Sequence, residues 1–222
     1  MCGHFAINYM KFKSLIDRYG LEIMPIEEIE NIFNDAHYYP SHGDSHTLVP
    51  VVLETPQGRA LDYFRWDIVP AWWNKPLKEK KFSSFNARSE SLLEKASFKS
   101  AWQKRKRCII PATCFFEWPD KKLASKDAER VEYRISLADQ HIFSIAAIWD
   151  QCMLPGNEIL KSCTIITVDA NEKMLQIPHT RMPVILAPDA ESAWLSPSTP
   201  AEAAAELLRQ YPAEQMISAA HY

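Results

Sequence analysis

The chain has 222 residues, 47% of them hydrophobic and 24% charged, with a net charge of −3. That composition excludes a disordered, fibrous or membrane-embedded protein and predicts one soluble domain over residues 1–222, long enough to bury a core without staples. Apolar runs such as CIIPATCFF fall well short of the ~20 residues of a membrane span, and the N-terminus lacks the basic-then-apolar layout of a secretory signal, so a cytoplasmic protein with no membrane contact is expected.

In chain order, KFKSLIDRYG spaces Phe12, Leu15, Ile16 and Tyr19 as one helix face and stops at Gly20. IEEIENIF predicts a second short helix, and residues 34–46 a loop. TLVPVVLE and RALDYFRW read as two strands around a TPQG turn. A basic, proline-containing loop (IVPAWWNKPLKEKK) follows, then helical segments in SESLLEKASFKSAWQKRK. CIIPATCFFEW, RVEYRISL, HIFSIAAIW, LKSCTIITV and PVILA read as strands. Thr199-Pro200-Ala201-Glu202 has the form of a capping box that opens a helix through AEAAAELLRQ. The sum is an α+β fold, a strand-rich single domain with too few helices for regular βαβ alternation.

The five cysteines are odd in number and form no CxxC pair, so neither disulfides nor a structural zinc site is expected. His37, His42 and His46, with Cys2 or His4, match no standard zinc spacing, and no cofactor is expected. Charge is unevenly spread. Residues 75–107 hold 11 Lys and Arg against 3 Glu, leaving the remainder at −11. Such local concentration suits phosphate binding, although a solvated lysine-rich surface has the same composition.

Four stretches carry chemistry. The chain begins MCGHF, and removal of Met1 would leave Cys2 with a free α-amine beside its thiol. The pair could trap an aldehyde, the amine forming a Schiff base and the thiol closing a thiazolidine. Alternatively the thiol attacks a carbonyl with the amine as base, or Cys2 is merely a small residue tolerated after Met1. SFNARSES places Asn86 and Arg88 inside the basic segment. ATCFFEWPD sets Glu117 among aromatics, facing either solvent or an apolar cleft that would tune it for proton transfer. IPHTRMPVIL puts His179 and Arg181 in a turn before a strand.

Taken together, Met1-Cys2-Gly3-x-Phe5, Trp72-Trp73, Asn86-Ala87-Arg88, Phe116-Glu117-Trp118 and His179-x-Arg181-Met182-Pro183 resemble the SOS-response-associated peptidase family from residue 2 to about 195. The resemblance implies a compact fold with a mainly antiparallel, barrel-like β core and peripheral helices. It also implies a positively charged groove for single-stranded DNA, and covalent capture of ring-opened abasic sites by the N-terminal cysteine, exposed by autoproteolysis or by an aminopeptidase. On this chain it makes Cys2 the nucleophile. Asn86 would position the α-amine and the opened sugar, Glu117 would shuttle protons, and His179 would act at the sugar hydroxyl and in crosslink reversal. Gly3, His4, Arg88 and Arg181 would contact DNA, the arginines by gripping phosphates. Trp72 and Trp73 would stack on bases, or alternatively pack in the core. A monomer is expected.

The chain departs from the family pattern in several places. His4 stands where arginine is usual, which predicts a pH-dependent grip. Asp67 replaces glycine, Tyr38-Tyr39-Pro40-Ser41 replaces a tyrosine-asparagine…alanine-proline pattern, and Ala147 replaces a frequent glycine. Two rival readings are an N-terminal-nucleophile glutamine amidohydrolase, disfavoured by only five glycines, and a non-covalent binding module for single-stranded or modified DNA.

Overall fold

The computed structural model describes residues 2–8, 10–23, 32–33, 35–43, 45, 47–120, 123 and 131–221. The elements in chain order are β1 (Phe5–Ile7), β2 (Met10–Lys11), α1 (Phe12–Tyr19), β3 (Ile32–Phe33), β4 (Ala36–Tyr38), β5 (Leu48–Thr55), β6 (Gly58–Trp66), β7 (Asn86–Arg88), α2 (Ala96–Gln103), β8 (Arg107–Ala112), β9 (Cys114–Glu117), β10 (Glu132–Leu137), β11 (Phe143–Leu154), β12 (Glu158–Asp169), α3 (Glu172–Gln176), β13 (Arg181–Pro183), β14 (Ile185–Leu186), α4 (Glu191–Leu195), α5 (Ala201–Ala205) and β15 (Met216–His221).

The core is a closed barrel. Strands β12, β6, β5, β8 and β11 follow one another around a ring that closes where β11 pairs with β12. The pairings are antiparallel except where β12 meets β6 and β7. Closure removes the exposed edges an open sheet would present. A second sheet, in the order β15-β10-β9-β1-β4, is antiparallel throughout. The predicted strand-rich α+β architecture is the one observed. Among the described residues no helix is long and apolar enough to cross a membrane.

Sequence pattern accounts for most strands. The β5–β6 hairpin turns at Pro56-Gln57 with Thr55 opposite Gly58. Gly58 has φ +117°, a backbone conformation that side chains with a Cβ rarely adopt, so glycine is required there. In β11 the FSIAAI half is buried on both faces, while QCML alternates exposed and buried as the hairpin leaves the core.

Several expectations need correction. CIIPATCFFEW is two strands in two sheets. The chain bends at Thr113, whose backbone N–H and hydroxyl both donate to the Ala6 carbonyl, at 2.9 and 3.1 Å. PVILA is also divided, between β13 on β12 and β14 on β11. The helix predicted through residue 210 ends at Ala205, and its N-cap is Pro200 with no side-chain cap. Tertiary hydrogen bonds hold the following segment off the helix path, with Asn171 Nδ2 donating to the Tyr211 carbonyl at 2.6 Å and Gln210 Nε2 to the Ala170 carbonyl at 3.0 Å. Residues 26–31 of the predicted IEEIENIF helix lie outside the described residues, and Ile32–Phe33 are strand.

Candidate active site

The second sheet brings the N-terminal segment against β9, and β12 positions β7 beside it. Cys2, just ahead of β1, is fully buried. Asn86 opens β7, set by parallel pairing with Ile165 of β12, and its Nδ2 donates to the Cys2 carbonyl at 2.7 Å. Asn86 Oδ1 is buried and has no hydrogen-bond partner among the described residues. Burial pushes the Cys2 thiol well above the ordinary cysteine range, and the charge of Glu117 adds to the shift.

Glu117 ends β9 and is 4% exposed; of the two orientations left open by the sequence, it takes the buried one. Its Oε2 lies 3.1 Å from His179 Nε2. His179, buried in the turn between α3 and β13, has Nδ1 2.7 Å from the Arg181 carbonyl. A carbonyl only accepts, so Nδ1 carries hydrogen. A neutral imidazole would then present a bare Nε2 to a bare carboxylate. The contact therefore holds one proton, either on Nε2 or on the carboxyl, which is the arrangement a proton shuttle requires.

The predicted DNA contacts separate into two groups. Arg88, on β7, is exposed. Arg181 is 6% exposed. Its Nη1 donates to Asp169 at 2.6 Å and to Glu90 at 3.0 Å, and its Nη2 to Glu90 at 3.0 Å and to the Thr167 carbonyl at 2.7 Å. Arg181 is thus paired with two acids of the same chain, whose own side chains are exposed, 54% at Glu90 and 84% at Asp169. Trp72 is 53% exposed, whereas Trp73 is 9% exposed and packs with Val69, Leu77, Cys152, Leu154 and Leu160. One tryptophan of the pair is available for stacking and the other is core. Gly3 is half-buried.

His4 is a buried residue and not a surface cation. Its Nδ1 lies 3.2 Å from Glu132 Oε1 and its Nε2 lies 2.7 Å from His37 Nδ1. Burial is the largest cause lowering its pKa, and His37 and His221 act in the same direction, while Glu132 opposes them. Of the other histidines considered as metal ligands, His42 is exposed and His46 lies outside the described residues. Among the described residues no group of three or more His, Cys, Asp or Glu side chains is arranged to hold a metal. A cleft of about 480 Å³, lined by Gln140, Asp189, Tyr211 and Gln215 among others, contains none of the predicted site residues.

The basic segment is partly consumed by the fold. Lys80 is buried against Asp67 at 2.7 Å, Lys106 pairs with the buried Asp150 at 2.6 Å, and Arg107 is buried, donating to carbonyls of Trp194, Ser196 and Thr199. Eight cations of that segment remain exposed, among them Lys75, Lys78, Lys81, Lys95 and Lys99. Asp67 also accepts from the Ser84 backbone N–H and hydroxyl at 2.8 and 2.9 Å. This acid ties both ends of the basic loop to the barrel. Glu90 and Asp169 were not identified from sequence as parts of the site, because each acts through a partner distant in the chain.

Together these side chains set a buried thiol near the N-terminus in a site that also holds a buried acid–imidazole contact. The chain belongs to the SOS response associated peptidase (SRAP) family, whose pattern it matches over residues 1–220. It is 35% identical to the abasic site processing protein YoaM of Bacillus subtilis, covering 97% of this chain and 88% of that protein. It is 34% identical to the abasic site processing protein YoqW of Bacillus phage SPbeta, over 97% and 90%. The abasic site processing protein HMCES of Xenopus tropicalis is 33% identical over 71% of this chain and 54% of that protein. A solved protein structure from Bacteroides thetaiotaomicron superposes with a TM-score of 0.82 at 28% identity, covering 99% of this chain and 91% of that one.

Proposed function

We propose that the protein captures ring-opened abasic sites in single-stranded DNA through Cys2 once Met1 has been removed. The single observation that carries the reading is the 3.1 Å contact between Glu117 Oε2 and His179 Nε2, in a site where Asn86 donates to the Cys2 carbonyl. The names of the relatives supply the substrate class, an abasic site.

The chemistry balances without a cofactor. The α-amine of Cys2 adds to the aldehyde carbon, and loss of one water gives the Schiff base. The thiol then adds across the C=N bond, its proton passing to nitrogen, and the five-membered ring closes. Both stages need a group that first gives and then accepts a proton, and the Glu117–His179 pair has that capacity. The unpartnered Asn86 Oδ1 is an acceptor for the α-amine or for a sugar hydroxyl. Arg88, Trp72 and the exposed lysines of residues 75–99 provide the outer surface for a strand. Release of Met1, by an aminopeptidase or by the protein's own thiol, precedes all of this.

Intact-mass measurement of the Met1-free protein, alone and after incubation with a single-stranded oligonucleotide bearing one abasic site, tests the reading. An adduct at the combined mass less one water is expected with wild type and absent with Cys2→Ala. No adduct from Met1-free wild type would overturn covalent capture and favour a non-covalent binding module.

A further inference from the structure

We infer that Tyr39 is a stacking platform for an unpaired nucleobase next to the nucleotide held at Cys2. The inference rests on the single-stranded DNA reading above and adds to it a subsite and the residue that forms it.

Phe116, His4 and Tyr39 form a column of three aromatic rings. The centroids of Phe116 and His4 are 4.0 Å apart with planes at 14°, and those of His4 and Tyr39 are 4.3 Å apart at 22°. Exposure rises along the column, from 2% at Phe116 to 8% at His4 and 52% at Tyr39. The column is closed at its foot and open at its head, where the next layer at the same spacing is another flat ring.

Hydrogen bonds hold the middle ring from both sides. Glu132 Oε1 faces His4 Nδ1, His4 Nε2 faces His37 Nδ1, and His37 Nε2 lies 3.4 Å from Asp35. The Glu132 carboxylate only accepts, so His4 Nδ1 carries hydrogen, and neutral His4 then accepts at Nε2 the hydrogen of His37 Nδ1. On the strands around the column, Arg134 of β10 stands opposite Phe116, His221 of β15 has its ring 5.1 Å from Phe116, and Tyr38, Cys114, Glu117 and Tyr133 are the other titratable residues. A base landing on Tyr39 meets a ring already fixed in place, so little side-chain freedom is lost on stacking.

Position supplies the ligand. Phe5 pairs with Tyr38 across β1 and β4, which sets Tyr39 beside His4, two residues from Cys2. Two residues span at most about 7 Å, and stacked nucleotides rise about 3.4 Å per strand. A strand anchored at Cys2 therefore brings its neighbouring base, or the one beyond, within reach of Tyr39. Base–aromatic stacking tolerates any sequence.

The test uses Met1-free protein and a short single-stranded oligonucleotide carrying an unreactive tetrahydrofuran abasic analogue, with 2-aminopurine one or two positions to its 5′ or 3′ side. Wild type should quench 2-aminopurine on one side only. Tyr39→Ala should abolish that quenching and weaken binding by about 5- to 150-fold, and Tyr39→Phe should retain both. Tyr39→Leu keeps the packed volume and should behave like Tyr39→Ala, which separates loss of stacking from loss of fold. With a reactive abasic oligonucleotide at saturation, Tyr39→Ala should still reach the full adduct yield. Equal affinity and equal quenching in wild type and Tyr39→Leu, with capture intact, would overturn the platform and leave capture standing. Tyr39-dependent quenching without any adduct would do the reverse, and absence of binding by wild type would overturn both.

Discussion

The Arg181 guanidinium and the Glu90 carboxylate meet as a two-bond pair, each nitrogen 3.0 Å from a carboxylate oxygen. The arginine is 8% exposed at its side chain and the acid 54%, so the two partners contribute unequally. Loss of the acid leaves Arg181 with Asp169 and the Thr167 carbonyl. Loss of the guanidinium fork removes both bonds to Glu90 and the bond that the Thr167 carbonyl accepts from Nη2. Glu90→Gln should therefore cost less than about 1 kcal/mol, and Arg181→Lys about 1–3 kcal/mol. Urea denaturation of the two variants checks the order; a larger loss from Glu90→Gln would contradict it.

Asp67 and Lys80 form a buried pair at 2.7 Å, with side chains 8% and 3% exposed. Burial lowers the Lys80 pKa, and Asp67 opposes that shift. Asp67→Ala strands the ammonium and orphans the Ser84 N–H, and should cost about 3–5 kcal/mol. The double variant Asp67→Leu with Lys80→Met removes the stranded ammonium and should recover part of that loss, because the buried Arg65 guanidinium, 3.7 Å from Asp67, still loses its acid. Thermal unfolding of the three proteins decides it; a double variant no better than Asp67→Ala would place the cost in the Ser84 and Arg65 contacts instead.

Local pattern made the β5–β6 hairpin and α1 legible, because each rests on near-neighbour spacing and a turn residue. The motifs around Cys2, Asn86, Glu117 and His179 stood out only through their resemblance to a family pattern, and the fold brings Asn86 to the Cys2 carbonyl and His179 to Glu117. What the sequence did not disclose depends on contacts between distant residues. CIIPATCFFEW reads as one apolar run, yet Thr113 breaks it by bonding to Ala6, more than a hundred residues away. The alanine-rich run after Pro200 has strong helix propensity, and hydrogen bonds from Asn171 and Gln210 override it. Lys80 sits in a basic run like a solvated lysine, and only the fold reveals Asp67 beneath it. Arg181 carries the expected charge, but its partners Glu90 and Asp169 lie 91 and 12 residues away with no spacing that signals them.

His4 links stability to pH. Burial, with help from His37 and His221, depresses its pKa in the folded state, while in the unfolded chain it titrates near 6.5. The geometry gives the same sign: with one hydrogen already between His4 and His37, a second has no room at 2.7 Å. As pH falls below about 6.5 the unfolded state takes up a proton that folded His4 refuses, so stability declines. His4→Phe preserves a ring in the column and removes the titration. Denaturation midpoints between about pH 5 and 8 should fall toward acid in wild type and fall less in His4→Phe; parallel slopes would assign the decline to other groups.

Glu117 has opposite effects on two properties of the same site. Its charge helps hold the Cys2 thiol in its protonated form, with burial the larger cause, and it shares a proton with His179. Glu117→Gln removes the charge but keeps the shape. The amide can donate to the bare Nε2 of His179, but it cannot exchange a proton with it. The thiol should then ionise at lower pH than in wild type, though still above an ordinary cysteine because it remains buried, and Cys2 alkylation by iodoacetamide near neutral pH should accelerate. Adduct formation with abasic single-stranded DNA should slow by about 10²- to 10⁴-fold, the range for loss of a positioned acid–base group. Mass-spectrometric alkylation rates and single-turnover adduct rates, measured on the same Met1-free preparations across pH, separate the two effects. If adduct formation rose together with alkylation, thiol ionisation would limit capture and the Glu117–His179 proton would have no part in the rate.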